Sequence, residues 1–298
     1  SNAESLGSFT SIPDKEIFKV EYWPLEQAKL KGAKRQILTG NIVVISGGCG
    51  AIGLATARDF FKEGAEIVLL ENNITNIKHT PPEIKKNVTI IKCDVTNQND
   101  VKNTINLIEE KMGGTDILVN AAGVIGSASF AKPNASEIKD WDSTYSINVR
   151  GTFIVSEEVA KKMQKRNYGK IINISSHGGK FPNSDNPAYS ASKAAVINLT
   201  QSLALRWAAN NINVNVLCPG SIWTPMWEKN AQKTINKDKT KRDMTPRELF
   251  LEYIENNCPL KREQTPEDIG NAVVFFASDS SSNITGQSLN INGGTIMD

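Results

Sequence analysis

From residue 42 onward, short and almost wholly apolar runs punctuate the chain, with helix-spaced segments between them. Ile42–Ser46 (IVVIS) shows no polar alternation and is followed by a glycine cluster, which predicts a strand buried on both faces. Ala51–Lys62 carries Ile52, Ala55, Phe60 and Phe61 at helical spacing. The strand pattern returns in Glu66–Leu70 (EIVLL), Val88–Cys93 (VTIIKC), Asp116–Val119 (DILV), Lys170–Ser175 (KIINIS) and Asn213–Cys218 (NVNVLC). Ser288–Ile291 (SLNI) reads as a last strand. Strand and helix alternating in this way predict right-handed crossovers and an α/β, doubly wound parallel sheet with helices on both faces.

Two stretches break the rhythm. Asn72–Asn87 is long, polar and carries Pro81-Pro82, and Ser221–Leu260 is polar and aromatic-rich, placed where a mobile lid over a site is expected. Residues 1–40 differ from the rest, with Pro13, Pro24, mixed charge and a short amphipathic piece from Leu25 to Leu38. They read as an irregular arm with one helix, and Ser1-Asn2-Ala3 reads as a remnant of cloning. The expected organisation is this arm followed by one domain over 41–298, with a lid at about 221–260.

Composition excludes more than it identifies. The 298 residues include 34 Lys+Arg and 32 Asp+Glu, and a net charge of +2 gives no pull toward nucleic acid or an anionic membrane. No apolar run approaches the roughly 20 residues of a membrane span. Cys49, Cys93, Cys218 and Cys258 form no C-x-x-C pair, and the chain has 2 histidines, so no metal site is expected. Reduced thiols in a cytoplasm are the matching expectation.

Candidate chemistry begins directly after the first strand, in Ser46-Gly47-Gly48-Cys49-Gly50-Ala51-Ile52-Gly53. Glycine allows a tight turn and lets backbone N–H groups approach a pyrophosphate at a helix N-terminus. The context matters, since a glycine cluster alone is often a plain turn. Here the second strand ends in Glu71, 18 residues after Gly53, where a ribose-binding carboxylate is expected. A carboxylate accepts ribose hydroxyls and repels a 2′-phosphate, and no Arg or Lys lies in the loop or at Asn72–Asn73. NAD over NADP follows.

Tyr189 and Lys193 lie four residues apart and share one helical face. A neighbouring ammonium favours the phenolate and brings a tyrosine toward acid/base work near neutral pH. By itself this spacing is common, and a lysine that snorkels beside a packed tyrosine explains it equally well. Ser176 adds to it, ending a strand 13 residues before Tyr189, where it can donate a hydrogen bond to a carbonyl oxygen. Asn148 falls in a predicted helix, an unfavourable place for its amide unless it is buried with a role, such as joining Lys193 to solvent.

Taken with their order along residues 41–298, these motifs resemble the short-chain dehydrogenase/reductase family. Further matches are Cys93-Asp94-Val95, Asn120-Ala121-Ala122-Gly123 and Pro219-Gly220-Ser221-Ile222-Trp223-Thr224. Two departures are Ala51 in place of the family's middle loop glycine and Ala121 in place of an asparagine. The resemblance implies a Rossmann fold and hydride transfer between a secondary alcohol or ketone and a nicotinamide cofactor. Tyr189 would be general acid/base, Ser176 would orient the substrate oxygen, Lys193 would lower the tyrosine pKa and hold the nicotinamide ribose, and Asn148 would anchor a proton-relay water. Cofactor contacts would come from Gly47, Gly50, Ile52, Gly53, Glu71, Asp94, Val95, Asn120, Ala121, Gly123, Tyr189, Lys193, Pro219, Gly220, Ile222 and Thr224.

The C-terminal Thr285–Gly294, Ser176–Lys180 and Pro259–Arg262 are most similar to polyol and sugar-phosphate members such as sorbitol-6-phosphate 2-dehydrogenases. The arm segment Glu21–Leu30 resembles the joint before the dehydrogenase half of bifunctional aldolase/dehydrogenases. The expected substrate is therefore a polyol, sugar or sugar phosphate. An NADPH-dependent carbonyl or acyl-carrier reductase is the enzymatic alternative, and a silent NAD-binding scaffold the non-enzymatic one. His177 and Lys180 are candidates for substrate contact, with an exposed loop as the plain alternative. Trp223 and Trp227 are expected either to close over the nicotinamide or only to pack the lid. Six basic residues (Lys229, Lys233, Lys237, Lys239, Lys241, Arg242) against Glu228, Asp238 and Asp243 read as a solvated face. Surplus apolar residues on the Tyr189–Ala209 helix point to burial against another subunit and a homo-tetramer.

Overall fold

β1 (Ile42–Ser46) opens the sheet, and a glycine turn delivers the chain into α1 (Ala51–Lys62). β2 (Glu66–Glu71) follows, then two short helices, α2 (Ile74–His79) and α3 (Pro82–Lys85), which occupy the polar Asn72–Asn87 stretch. β3 (Thr89–Lys92), α4 (Gln98–Met112) and β4 (Ile117–Asn120) complete the first half. The second half runs through α5 (Glu137–Thr144), a π-helical segment Tyr145–Gly151, α6 (Thr152–Arg166), β5 (Gly169–Ile174), α7 (Pro187–Trp207) and β6 (Ile212–Pro219). After β6 come α8 (Pro225–Lys237), α9 (Pro246–Asn257), α10 (Pro266–Ala277) and β7 (Ser288–Ile291). This computed structural model describes residues 36–130, 132 and 137–297; the arm and its predicted helix lie outside them.

The seven strands are all parallel in the order β3-β2-β1-β4-β5-β6-β7. Side chains alternate across the sheet. Ile45, Leu69, Val119 and Ile172 pack toward Phe60 of α1 and Ile269 and Phe276 of α10. Val44, Leu70, Leu118 and Ile171 pack toward α4, α6 and α7, meeting Ile105, Val159 and Leu203. Burial on both faces is why these strands read as continuous apolar runs. Strand order reverses between β1 and β4, and such sheets bind ligands in the crevice at this point.

One polar ladder crosses the apolar sheet. Ser46, Asn120 and Asn173 stand in register on β1, β4 and β5. The Ser46 hydroxyl donates to Asn120 Oδ1 (3.3 Å), the Asn120 amide donates to Asn173 Oδ1 (2.9 Å) and Ser156 Oγ (2.9 Å), and Asn173 donates to Thr200 Oγ1 (2.9 Å). All five side chains are buried, so each bond replaces water that cannot reach it. The ladder fastens three strand ends to α6 and α7 directly beneath the crevice.

The predicted lid is largely helical. α8 and α9 each begin with a threonine N-cap and a proline in the first turn, Thr224-Pro225 and Thr245-Pro246. Thr245 and Glu248 form a complete capping box. Phe250, Ile254 and Cys258 build a small core of their own against Trp223, Trp227 and Tyr253.

Candidate active site

The glycine turn is shaped by steric necessity. Gly47 sits at φ +64°, and a Cβ there would meet the Ala122 backbone at 2.6 Å. A Cβ at Gly53 would meet the Gly47 carbonyl at 2.6 Å, so α1 packs against the turn only through glycine. Gly50 is the N-cap of α1, with no side chain capping the helix and no acid in its first turn. The helix therefore presents unclaimed N–H donors and an uncompensated positive dipole end, a setting that fits a pyrophosphate. Ala51, the departure from the family's glycine, is exposed at the helix start.

Glu71 is buried at the end of β2 and accepts from the Asn73 backbone N–H (2.9 Å). Gly48 N–H donates to Leu70 O, which draws the glycine turn up against this strand end. Asp94, past the end of β3, accepts from Thr96 through backbone and hydroxyl, and Val95 is buried where a Cβ on Gly151 would strike it. Ala121 N–H continues the sheet by donating to Ser46 O. The Asn120 side chain is engaged in the buried ladder and braces the strand ends.

Tyr189, Lys193, Ser176 and Asn148 are brought together from α7, the β5 end and the π-helical segment. The Ser176 hydroxyl is near enough to the Tyr189 phenol to affect its protonation, and Tyr189 lines the cleft. Lys193 Nζ lies 5.7 Å from the Tyr189 ring centroid and donates to Ile174 O (2.9 Å). Asn148 Oδ1 accepts from Val124 N–H (2.8 Å), and its amide donates to Val124 O (2.9 Å) and Ser192 Oγ (3.0 Å). A Cβ on Gly123 would lie 3.3 Å from Lys193 Nζ and 3.4 Å from Asn148 Oδ1, so the loop after β4 packs against both side chains. A π-helical insertion here is the kind of local distortion that often marks functional sites.

Burial governs the protonation of this group. Desolvation pushes the Tyr189 phenol above its ordinary value, the Ser176 hydroxyl opposing it. Desolvation also lowers the Lys193 ammonium to about 8. The sequence pattern suggested a lowered tyrosine. Here the loss of water outweighs the one opposing influence, the Ser176 hydroxyl.

The cleft is lined by Ile52, Ser176, Tyr189, Pro219, Gly220, Ile222 and Thr224, three of them (Ser176, Pro219 and Gly220) at or just past strand ends. Trp227 and Tyr253 of the lid also line it, while Trp223 packs at 5.3 Å from Phe250. Trp227 packs on Phe250 as well (4.7 Å), so both tryptophans pack α8 and α9 together and Trp227 also lines the cleft. His177 lines the cleft and Lys180 does not. Residues not anticipated from sequence are Asp185, Asn183, Asn230 and Tyr253 in the cleft wall. Ser190 was also unforeseen: its hydroxyl donates to Gly178 O and Phe181 O and pins the Ser176 loop to α7. No periodicity marks these positions, because they come from separate loops and helices.

His177 is buried, packs edge-on against Phe181 (5.5 Å), and its Nδ1 has no partner. Desolvation lowers its pKa to about 4. The folded state thus resists protonation that the unfolded chain accepts near 6.5, so stability is complete above pH 6.5 and falls as pH drops toward 4. His177→Phe is expected to remove up to about 3 kcal/mol of that acid-side loss, read as a flatter Tm profile between pH 7 and 4.

Residues 47–295 match the family model described as enoyl-(acyl carrier protein) reductase, and residues 1–30 match one described as aldolase class II, second domain. The chain is 36% identical over 260 residues to 3-oxoacyl-(acyl-carrier-protein) reductase FabG of Rickettsia bellii, covering 87% of this chain and 98% of that protein. An uncharacterized oxidoreductase of Bacillus subtilis, YuxG, is 30% identical over 98% of this chain, which spans 43% of it. Among solved structures, NAD+-bound xylitol dehydrogenase superposes with a TM-score of 0.79 at 31% identity, covering 86% of this chain and 99% of that one. Levodione reductase superposes with a TM-score of 0.76 at 29% identity, covering 86% and 98%.

Proposed function

The chain belongs to the short-chain dehydrogenase/reductase family, a family of oxidoreductases that bind a nicotinamide cofactor, and from that premise we propose that it is an NAD-dependent enzyme interconverting a secondary alcohol and a ketone, with a polyol or sugar as substrate. The observation that carries the cofactor choice is Glu71, buried at the β2 end beside the glycine turn with no basic side chain in that turn or at Asn72–Asn73. A carboxylate there accepts two ribose hydroxyls and repels a third negative group.

When bound, the nicotinamide supplies or accepts the hydride. The protein's own residues manage the oxygen and the proton. Ser176 holds the substrate oxygen through its hydroxyl, and the Tyr189 phenol gives that oxygen its proton in reduction and takes it back in oxidation. Burial favours the protonated phenol, which suits the acid role; Lys193, held by Ile174 O, is placed to favour the phenolate when oxidation requires it. Asn148, clamped to Val124, fixes the loop that carries Gly123 past Lys193.

The reductase names among the relatives support a second reading, carbonyl reduction on an acyl carrier with NADPH. The acidic β2 end and the likeness to an NAD+-bound xylitol dehydrogenase favour the first. Exposed Tyr145, Phe153 and Leu205 along α5–α7 support a homo-tetramer packed through these helices. The aldolase-like match at 1–30 supports this chain's being the dehydrogenase part of a bifunctional polypeptide. All four cysteines are buried and none is in a disulfide, which supports a cytoplasmic protein; among the described residues no helix is long and apolar enough to cross a membrane.

The test is initial-rate reduction of NAD and NADP with polyols and sugars. A preference for NAD of about 100-fold or more in kcat/KM is expected, and Glu71→Ser should shrink it by about tenfold through better use of NADP. Preference of the wild type for NADP overturns the cofactor assignment.

A further inference from the structure

We propose that the substrate is a neutral, unphosphorylated polyhydroxy compound, and that Asp185 selects it by accepting its hydroxyls and repelling anions. The proposal rests on the catalytic reading above and concerns the outer wall of the same cleft.

Asp185 is exposed at this wall, beyond Tyr189. Its backbone is committed, with N–H donating to Asn183 Oδ1 (3.0 Å) and the carbonyl accepting from Lys233 Nζ (3.2 Å), while its carboxylate accepts no hydrogen bond from the described residues and has the Lys233 ammonium as its charge neighbour. No other Asp or Glu and no Lys or Arg lines the cleft among the described residues. The nearest basic group on the lid, Lys233, is already taken up: its Nζ lies 3.9 Å from the Phe130 ring centroid and donates to the Asp185 carbonyl. Lys241 is paired with Glu252 (2.7 Å) and Arg247 with Glu263 (2.7 Å). None of the basic residues of α8 and α9 lines the cleft, and Lys233, which stands at its edge, is shared between the Asp185 carbonyl, the Phe130 ring and the Asp185 charge, which leaves a phosphate no uncompensated cation in the lining.

The rest of the wall suits hydroxyl groups. Asn183 lies beside Asp185 with its amide nitrogen uncommitted, and Asn230 faces the cleft from α8. His177, with its neutral ring and an Nδ1 lacking any partner, can act toward a hydroxyl in either sense once the ring turns about Cβ–Cγ. Trp227 and Tyr253 supply aromatic surface for the C–H faces of a carbon chain. A carboxylate, amides and aromatic surface without a cation make a site for polyols and free sugars. They do not make one for sugar phosphates or for the phosphate-bearing arm of an acyl carrier.

Matched pairs test this: xylitol, ribitol and sorbitol against ribitol 5-phosphate and sorbitol 6-phosphate, each with NAD, on wild type, Asp185→Asn and Tyr189→Phe. Neutral members should exceed their phosphates by about 100-fold in kcat/KM, and Asp185→Asn should narrow that ratio by about tenfold while Tyr189→Phe abolishes both. A wild type that prefers the phosphates, a ratio unmoved by Asp185→Asn, or turnover of ketones but of no polyol or sugar overturns the proposal. In each of these outcomes loss of activity in Tyr189→Phe leaves the catalytic reading standing; activity that survives Tyr189→Phe instead removes that reading.

Discussion

Tyr189→Phe is expected to lower kcat by about three orders of magnitude in both directions while NAD binding changes only a few-fold. The substitution deletes one oxygen from a ring that stays packed on α7, so fold and cleft persist. What is lost is the proposed proton donor beside Ser176, and general acid/base catalysis is worth roughly 10²–10⁴. Because the reacting proton moves only in the transition state, the loss falls on kcat rather than KM. Stopped-flow single turnovers and cofactor titration by fluorescence read the two quantities apart. The wild-type pH profile carries the same signature. A phenol held above its ordinary pKa keeps reduction flat through neutral pH, whereas oxidation needs the phenolate and climbs with rising pH. A variant retaining more than a tenth of wild-type turnover contradicts the assignment.

Lys193→Met should cost activity on a similar scale and reshape the pH dependence of stability. The buried ammonium titrates at about 8 in the fold against 10.5 when unfolded. Between those values the unfolded chain binds more protons, so stability rises with pH; below 8 the burial cost is present in full. Methionine has no charge to desolvate and shows no such rise. The stability of Lys193→Met relative to wild type should therefore fall by about 3 kcal/mol between pH 7 and 10.5, although the Ile174 carbonyl loses its donor at every pH. Urea midpoints at pH 7, 8.5 and 10 measure the trend. A constant difference between the two proteins across that range contradicts a strained ammonium at this site.

Much of the fold was legible because a parallel sheet buried on both faces leaves no room for polar alternation. β1, α1 and β7 fall where the apolar runs and helical spacing place them, and the other strands differ at their ends by a residue or two. The lid was harder. Ser221–Leu260 looks like polar loop if hydrophobicity alone is followed, yet Thr224-Pro225 and Thr245-Pro246-Arg247-Glu248 carry the N-cap and first-turn chemistry of two helices. Their apolar residues serve a small local core instead of the main one, which dilutes the periodic signal.

For the site, the sequence by itself determined the residue types that can do the chemistry: a glycine turn after a strand, an acid at the next strand end, a serine at another, and a tyrosine one helical turn before a lysine. Local geometry suffices for each, because strand ends and a single turn of helix set their spacing. Tertiary structure alone decided how these groups behave. Desolvation raises the tyrosine and lowers the lysine, Asn120 is spent on a buried ladder, and Asp185 faces a cleft from which the lid's lysines are absent. Such properties depend on which distant segments exclude water from a group and which meet it as partners, and no spacing along the chain encodes that.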